Sequence, residues 1–326
     1  MFAVALDGRE TPDEARACAV LAEAAGAPRL WVACHLFQRE PAVIAALALA
    51  ATRRLGVSLM AVSPYAVHPV YAAMAAATLD EAFPGRVELC FGAGAPKDLE
   101  AAGLAAVEPL ATLAEAIEIA RRLFAGERVS FEGHRYHLAG RALINAPRAI
   151  PIWLAASGPR MLALAGAAAD GVLISGGTAP EFVRWSLDHV RASEAAAGRR
   201  VRKASLVYSA VAPDAVTAHQ SLRRRLAFVL RGAHHARNLA LAGSTLDQAA
   251  LAEAYAREDW ARVDALTTDD VVRRHAASGT AADARARFAD YRALGGLDEI
   301  VIAGVPGADA LKRVLAAALP EPEGNA

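Results

Sequence analysis

His35 is the residue whose type and position best fit proton chemistry. It follows Cys34 directly after the apolar run of residues 30–33, so a strand ending there would present the imidazole at its carboxyl end. Histidine changes charge near neutral pH and can give or take a proton during a reaction. Its immediate neighbours in the sequence carry no carboxylate. A lone histidine often only hydrogen-bonds its own loop, and that interpretation stays open.

Two segments rich in small residues precede predicted helices and are typical of anion-binding loops. Ser157-Gly158-Pro159-Arg160 places a hydroxyl, a glycine and a proline at a helix start, where unpaired N–H groups and the helix dipole favour an anion. The run Ser175-Gly176-Gly177-Thr178 comes one predicted strand later, and phosphate binding by two successive loops is common in α/β barrels. Ordinary turn and capping chemistry explains the first segment equally well.

Gly92-Ala93-Gly94 is half of a dinucleotide-binding fingerprint. Lys97 stands where the third glycine of that motif would be, and no acidic ribose partner follows at the usual distance. A Rossmann dinucleotide site is therefore the weaker interpretation. We expect the two glycines to let a ligand or a neighbouring loop approach the end of the strand closely.

The cysteines and the other histidines give no disulfide or metal-binding pattern. Cys18, Cys34 and Cys90 are odd in number and lack CxxC spacing, which favours a reducing cytosol. Cys34 is interpreted as a small apolar filler rather than a nucleophile. Four histidines in polar helical segments are expected to be exposed: His219, His234, His235 and His275.

Charge and composition argue against two classes of partner. Thirty-five basic and 35 acidic side chains cancel, which leaves no field to concentrate nucleic acid or an anionic membrane surface. The Ala/Leu runs at residues 42–51 and 72–79 fall short of the roughly 20 apolar residues that span a bilayer. Residues 1–6 are too short for the apolar part of a signal peptide. We expect a cytoplasmic protein that acts on a small-molecule substrate.

A repeating scaffold of strands and helices must position these residues. Eight β-rich runs alternate with amphipathic stretches such as residues 109–124, and most of the runs are continuously apolar, as in parallel strands covered on both faces. This pattern predicts an α/β fold, a single (β/α)8 TIM barrel over residues 1–319, with a doubly wound open sheet as the alternative. The predicted strands are residues 2–6, 30–33, 57–62, 87–92, 152–156, 171–175, 206–211 and 299–303.

Two connections are too long for one helix and predict insertions after the fourth and seventh barrel strands. Residues 126–140 contain two short β-rich runs around Glu132-Gly133, a hairpin pattern. Residues 214–275 are rich in helix-forming sequence. Such insertions often cover an active-site mouth, because loops vary while the scaffold stays fixed. Residues 320–326 are predicted to form a frayed tail.

The order of short motifs along nearly the whole chain resembles the luciferase-like monooxygenases and their deazaflavin-dependent relatives. The resemblance weakens between residues 213 and 268. Gly94-Ala95-Pro96-Lys97-Asp98 is most similar to the methylenetetrahydromethanopterin reductase branch of that family. The motifs are Leu55-Gly56-Val57, Ser63-Pro64-Tyr65, His68-Pro69, Ala76-Ala77-Thr78-Leu79-Asp80-Glu81, Gly85-Arg86, Gly92-Ala93-Gly94, Gly126-Glu127-Arg128-Val129 with Gly133-His134, the run from Pro151 to Leu162, and Ala169-Asp170-Gly171-Val172-Leu173.

The resemblance implies a barrel that binds FMN or coenzyme F420, usually within a homodimer. It implies that the segment from Ser157 to Met161 holds the phosphate side, that Ser63 lies beside the ring and that Thr178 belongs to a second loop. It also places a non-proline cis peptide at Met60-Ala61. The predicted cofactor contacts are Cys34, Met60, Ala61, Ser63, Gly94, Asp98, Ser157, Gly158, Arg160, Met161, Gly176, Gly177 and Thr178.

Three positions depart from the family pattern. Cys34-His35 stands where many deazaflavin members have Asp-His, and Ala95 stands where some relatives place an acidic proton donor. Val67 replaces the arginine that commonly precedes His-Pro. The comparison therefore supports cofactor binding more strongly than any particular reaction.

These observations predict an oxidoreductase that moves hydride between bound coenzyme F420 and a small organic or pterin-like substrate. His35 would be its catalytic proton relay, while the cofactor would carry the redox chemistry. An FMN-dependent monooxygenase is the alternative interpretation. A flavin-binding barrel without turnover is the second alternative.

Overall fold

All eight predicted strands are present in the computed structural model, which describes residues 1–319. The predicted tail, residues 320–326, lies outside the described residues. Several strands are buried at every position, as parallel strands covered on both faces should be. The strands are β1 (Phe2–Leu6), β2 (Arg29–Ala33), β3 (Gly56–Val62), β4 (Val87–Phe91), β5 (Val129–Glu132), β6 (His137–Arg141), β7 (Ile152–Ala156), β8 (Gly171–Ile174), β9 (Arg202–Val211), β10 (Ala277–Gly279) and β11 (Glu299–Ala303).

The main sheet closes on itself. Its hydrogen-bonded order is β10-β9-β11-β1-β2-β3-β4-β7-β8, and β9 also pairs with β8. This confirms the predicted (β/α)8 barrel over the doubly wound alternative. β9 begins at Arg202, earlier than predicted. The short β10 pairs in parallel with β9 but is absent from the sequence prediction, because Ala-Ser-Gly has no β-rich pattern.

Prolines mark where many of the helices begin. Each of the first seven helices has proline as its first residue, where the missing N–H would have no partner and the fixed φ suits the helix. Within residues 1–319, no helix has the length and apolar character needed to cross a membrane. The helices are α1 (Pro12–Ala24), α2 (Pro41–Ala51), α3 (Pro69–Ala82), α4 (Pro96–Ala101), α5 (Pro109–Phe124), α6 (Pro159–Ala168), α7 (Pro180–Ala197), α8 (Ala215–Leu230), α9 (Ala236–Leu241), α10 (Gln248–Ala256), α11 (Trp260–Leu266), α12 (Asp269–His275), α13 (Ala281–Ala293) and α14 (Gly307–Ala318), with a 3-10 turn at Ala233–His235.

The chain is organised as two compact units. The first unit comprises Val4–Leu173 and Asp188–Lys203. The second unit comprises Met1–Ala3, Ile174–Leu187 and the described residues from Ala204 onward.

In the first unit, a buried carboxylate lies at the amino ends of the strands. Glu88, 6% exposed, accepts hydrogen bonds from Trp153 Nε1 at 2.5 Å and Arg202 Nη2 at 2.6 Å, and pairs with Arg29 at 2.5 Å. A buried charge needs partners of this kind to offset the loss of water. The network therefore fixes the end of the strands remote from the predicted site.

The insertion after β4 is an antiparallel hairpin of β5 and β6. Glu115 on α5 accepts hydrogen bonds from the backbone N–H groups of His134, Arg135 and Tyr136 at 2.5, 3.1 and 3.2 Å. Tyr136 Oη donates to the Pro64 carbonyl at 2.6 Å. The hairpin therefore holds the loop that follows β3.

In the second unit, three histidines that the sequence predicts to be exposed are buried. His219, His235 and His275 are 6%, 2% and 0% exposed, whereas His234 is exposed. The prediction was wrong because it rested on the polar composition of the helices, while the imidazoles find polar partners in the interior, such as Ser278 Oγ at 2.9 Å from His219 Nδ1. Burial lowers the pKa of His235 to about 3 and that of His275 to about 4, so both are neutral at pH 7.

Candidate functional site

His35 lies at the carboxyl end of β2 beside a carboxylate from another part of the sequence. Its side chain is half exposed, and its Nδ1 is 3.9 Å from Oδ2 of Asp98 on α4. This carboxylate does not come from the sequence neighbours of His35, which carry none. The helix that follows β4 brings Asp98 to it, an approach that sequence neighbours cannot reveal. An imidazolium formed at His35 would lie within ion-pair distance of this carboxylate.

Cys34 is a half-buried neighbour of His35 with an inert thiol. Its backbone N–H donates to the Met60 carbonyl at 2.5 Å, and its Sγ is 3.7 Å from the Val32 carbonyl. Burial, with a smaller contribution from the charge of Glu40, raises the pKa of the Cys34 thiol well above its ordinary value. The thiol is therefore protonated at neutral pH, which agrees with its interpretation as a packing residue.

Two glycines let the ends of β3 and β4 approach closely. The Met60–Ala61 peptide is cis, as the family resemblance implied. A Cβ at Gly92 would lie 2.8 Å from the Ala61 Cβ, and one at Gly94, whose φ is +87°, would lie 2.8 Å from Ser63 Oγ. Ser63 Oγ donates to the Ala93 carbonyl at 3.1 Å. The glycines thus accommodate a neighbouring loop, as predicted.

Residues 157–161 form an open loop at the start of α6. Gly158 is the N-cap residue, no side chain caps the helix, and a Cβ at this position would meet no atom within 4 Å. The N–H groups of Gly158, Arg160 and Met161 find no acceptor within residues 1–319. Arg160 is exposed and forms no ion pair with the described part of the chain. Free donors beside an unpaired cation suit an anion.

Residues 175–178, in the second unit, form a loop whose Gly177 and Thr178 carbonyl groups are already bound by protein. The Gly177 carbonyl accepts from Asn238 Nδ2 at 2.7 Å, and Asn238 Oδ1 accepts from the Ala179 N–H at 3.0 Å. Tyr291 Oη donates to the Thr178 carbonyl at 2.6 Å. Thr178 is 1% exposed, so this loop is packed rather than open.

Two further residues of the second unit lie at this loop although sequence reasoning did not select them. The ring of Tyr208, on β9, is so close to two glycines that a Cβ at Gly176 or Gly304 would lie 3.0 or 2.4 Å from it. The glycines that follow these two strands indicate that another group lies close by, but the sequence does not show that this group is Tyr208. Asn238 lies where the family resemblance is weakest, and nothing in its local sequence marks it.

A cleft of about 560 Å³ in the first unit lies at the amino ends of the strands, away from His35 and residues 157–161. Its lining includes Arg121, Arg148 and Arg202. Each of these arginines already pairs with a carboxylate, namely Asp170 at 3.2 Å, Asp80 at 3.1 Å and Glu88 at 2.6 Å respectively. The cleft therefore offers no uncompensated positive charge comparable to Arg160.

Known proteins resemble this chain over most of its length, both in sequence and in fold. The family model for luciferase-like monooxygenase covers residues 2–298. The chain is 29% identical over 302 residues to 5,10-methylenetetrahydromethanopterin reductase of Archaeoglobus fulgidus, covering 90% of each protein. The coenzyme F420 dependent tetrahydromethanopterin reductase of Methanopyrus kandleri superposes with a TM-score of 0.83 at 21% identity, over 97% of this chain and 96% of that one. The FMN-bound oxygenating constituent of 3,6-diketocamphane monooxygenase of Pseudomonas putida gives 0.70 at 18% identity, over 97% and 94%.

Proposed function

We propose that this chain, which belongs to the luciferase-like monooxygenase family, transfers hydride between bound coenzyme F420 and a small organic or pterin-like substrate. The family supports the broader class, a flavin- or deazaflavin-dependent oxidoreductase. The choice of coenzyme F420 is supported by an F420-dependent glucose-6-phosphate dehydrogenase of Mycolicibacterium fortuitum, which is 35% identical to this chain over 205 residues.

The open amino end of α6 is the observation that carries the proposal. A phosphorylated cofactor needs donors for its anion, and the N–H groups of Gly158, Arg160 and Met161 are free. A Cβ added at Gly158 would meet no protein atom within 4 Å, so the loop leaves room for a ligand. Ser157 and the Arg160 guanidinium add a hydroxyl and a charge. These residues fit a phosphate.

The remaining site residues of the first unit would hold the ring and move a proton. The bound cofactor would supply the hydride chemistry. His35 would give or take the accompanying proton at an imidazole nitrogen, and Asp98, 3.9 Å away, would stabilise the charged imidazole. Ser63, held by the Ala93 carbonyl, would lie beside the ring, next to Gly94.

The experiment that tests this function begins with the cofactor. We expect a visible absorbance and a mass matching coenzyme F420 to copurify with the chain, and spectral titration to show tighter binding of coenzyme F420 than of FMN. Bound F420 should then be reduced or oxidised by the substrate in a single turnover. A chain that binds neither cofactor would overturn the proposal.

The same titration separates the alternatives. Preferential binding of FMN, followed by rapid oxygen uptake once the flavin is reduced, would identify an FMN-dependent monooxygenase. Tight binding of either cofactor without turnover against a panel of alcohols, sugar phosphates and pterins would indicate a flavin-binding barrel. Either result would contradict F420-dependent hydride transfer.

We further propose that residues 1–319 act as one barrel domain in a cytoplasmic homodimer. The homodimer is supported by the family resemblance, and the cytosol by three cysteines without a disulfide pattern. Sedimentation velocity of the purified chain tests the first part. A monomer at micromolar concentration would contradict it.

A further inference from the structure

We propose that Asn238, in the helical insertion, is a positioning residue that orients the Thr178 N–H toward an anionic ligand group bound at residues 175–178. The inference rests on the proposed function and deepens it. It concerns only residues of the second unit. Asn238 lies on α9, is 0% exposed, and no motif of the sequence marks it.

Asn238 binds the backbone of the loop through both ends of its amide. Its Nδ2 donates to the Gly177 carbonyl at 2.7 Å, while its Oδ1 accepts from the Ala179 N–H at 3.0 Å. The side chain thus spans two peptide groups with one donor and one acceptor. A carboxamide presents both roles at once, whereas an ionised carboxylate of the same shape can only accept.

Buried neighbours hold the amide in this orientation. The Gly177 carbonyl can only accept, so His275 Nδ1, 3.2 Å away, carries the proton and His275 Nε2 accepts from Ser244 Oγ at 2.7 Å. The second hydrogen of Asn238 Nδ2 faces His235 Nδ1 at 3.4 Å. An amide flip of Asn238 would therefore lose its hydrogen bonds to Gly177 and Ala179 and its contact with His235 together.

The direction of one carbonyl fixes the direction of the next N–H. In a trans peptide the C=O and N–H point in opposite directions, so a Gly177 carbonyl held toward Asn238 sends the Thr178 N–H away from it. Gly177 has a φ of +70°, a conformation that glycine adopts without strain. On the other side, Tyr291 Oη holds the Thr178 carbonyl at 2.6 Å.

A second observation points to a ligand at this loop. The N–H groups of Gly176, Gly177 and Thr178 have no acceptor in the described chain, although Thr178 is 1% exposed. The buried Ser175 Oγ also lacks a hydrogen-bond partner. Buried polar groups are nearly always paired, so these donors indicate an acceptor that the protein itself does not supply.

The test compares paired ligands that differ by the phosphate, namely coenzyme F420 with its phosphate-free deazaflavin riboside, and FMN with riboflavin. Asn238→Asp keeps the shape and the acceptor for Ala179 but removes the donor to Gly177. We expect it to weaken binding of the phosphorylated ligand about tenfold or more, and that of the phosphate-free ligand by less than about threefold. Ser221→Ala, which removes a hydrogen bond to the Ala218 carbonyl on α8 and touches neither the Gly177 peptide nor the imidazoles, should change neither.

Equal loss for both ligands, together with a lower melting temperature, would show that Asn238 is merely structural and would overturn the inference. So would unchanged affinity in a folded variant. If Asn238→Asp fails to fold, amide hydrogen exchange of the unmodified protein replaces it. The Thr178 amide should be protected from exchange by the phosphorylated ligand but not by the phosphate-free one. Absence of that protection would overturn the inference. If the unmodified protein binds none of the four ligands, the proposed function fails first and this inference fails with it.

Discussion

The loops after β7 and β8 have similar residue types but differ in their exposure and in their contacts with the rest of the chain. At residues 157–161, a Cβ on Gly158 would meet no atom within 4 Å, and Arg160 is exposed. At residues 175–178, Thr178 is 1% exposed, and Asn238, His275 and Tyr291 bind the carbonyl groups. An open loop leaves its donors to be ordered by a ligand, whereas a packed loop has them ordered beforehand. Substitutions in the first should therefore affect binding alone, and those around the second should also affect stability.

The largest effect is expected from Gly158→Glu. The carboxylate would oppose the anion at the amino end of α6 and fill the space that the phosphate needs, so cofactor affinity should fall about 100-fold or more. Stability should hold, because Gly158 has a φ of −89° and open space around it. Isothermal titration with a melting curve measures both, and Gly158→Ala is the uncharged control. Unchanged cofactor affinity in a folded Gly158→Glu protein would contradict the assignment of this loop to the anion of the cofactor.

His35→Gln should lower turnover about 100-fold while leaving cofactor binding intact, since a positioned acid or base contributes that order of rate. The side chain is half exposed, so the melting temperature should not change. Asp98→Asn should reduce turnover less, because it removes only the neighbouring charge. Single-turnover reduction of the bound cofactor is the measurement. If cofactor affinity and melting temperature fall together instead, His35 has only a structural role in holding the loop after β2. Near-normal turnover with intact cofactor binding would show that His35 takes no part in the reaction.

Acid should weaken the packed loop before it affects the open one. His235 and His275 have folded pKa values of about 3 and 4, below the ordinary 6.5 of the unfolded chain. Between these values the unfolded state binds protons that the folded state does not, so stability falls as the pH drops from about 6.5 toward 4, by up to about 1.4 kcal/mol per pH unit for each group. Urea unfolding at pH 7, 6 and 5 should show this slope, and His275→Gln should reduce it. A flat profile between pH 7 and 5 contradicts the burial of neutral imidazoles.

Tyr291→Phe should give the smallest of these effects, a loss of about 1–3 kcal/mol in the free energy of unfolding, because the buried Thr178 carbonyl would lose its donor. Arg160→Ala, its counterpart in the open loop, should change stability by less than about 0.5 kcal/mol. Chemical denaturation of both variants measures the contrast. Equal losses would mean that the two loops do not differ in the way their contacts indicate.

Sequence reasoning predicted the scaffold well because its signals are local. Eight apolar runs identified the barrel strands, and the spacing of leucines and isoleucines placed a helix over Pro109–Phe124, where the structure has α5. Two glycines correctly signalled a close approach between the ends of β3 and β4. Such features depend on periodicity and backbone sterics within a few residues.

The contacts around the loops could not be predicted, because they join residues far apart in the chain. Residues 157–160 and 175–178 carry the same kind of capping sequence, but only the second segment is bound by Asn238, about 60 positions away. The Asp98 carboxylate reaches His35 from another strand-to-helix connection. The buried histidines look like surface residues until Ser244 and Ser278 are seen beside their rings.

The hydrogen bond from Tyr136 to the Pro64 carbonyl bears on how this barrel can be re-engineered. A designer who transplants the loop after β3 from another family member, but keeps the hairpin, leaves the Tyr136 hydroxyl facing a foreign backbone. If the hairpin is moved without Glu115, three backbone N–H groups lose the carboxylate that accepts their hydrogen bonds. The loop after β3, the hairpin of β5 and β6 and the first half of α5 therefore form one cassette, which should be moved between barrels as a whole.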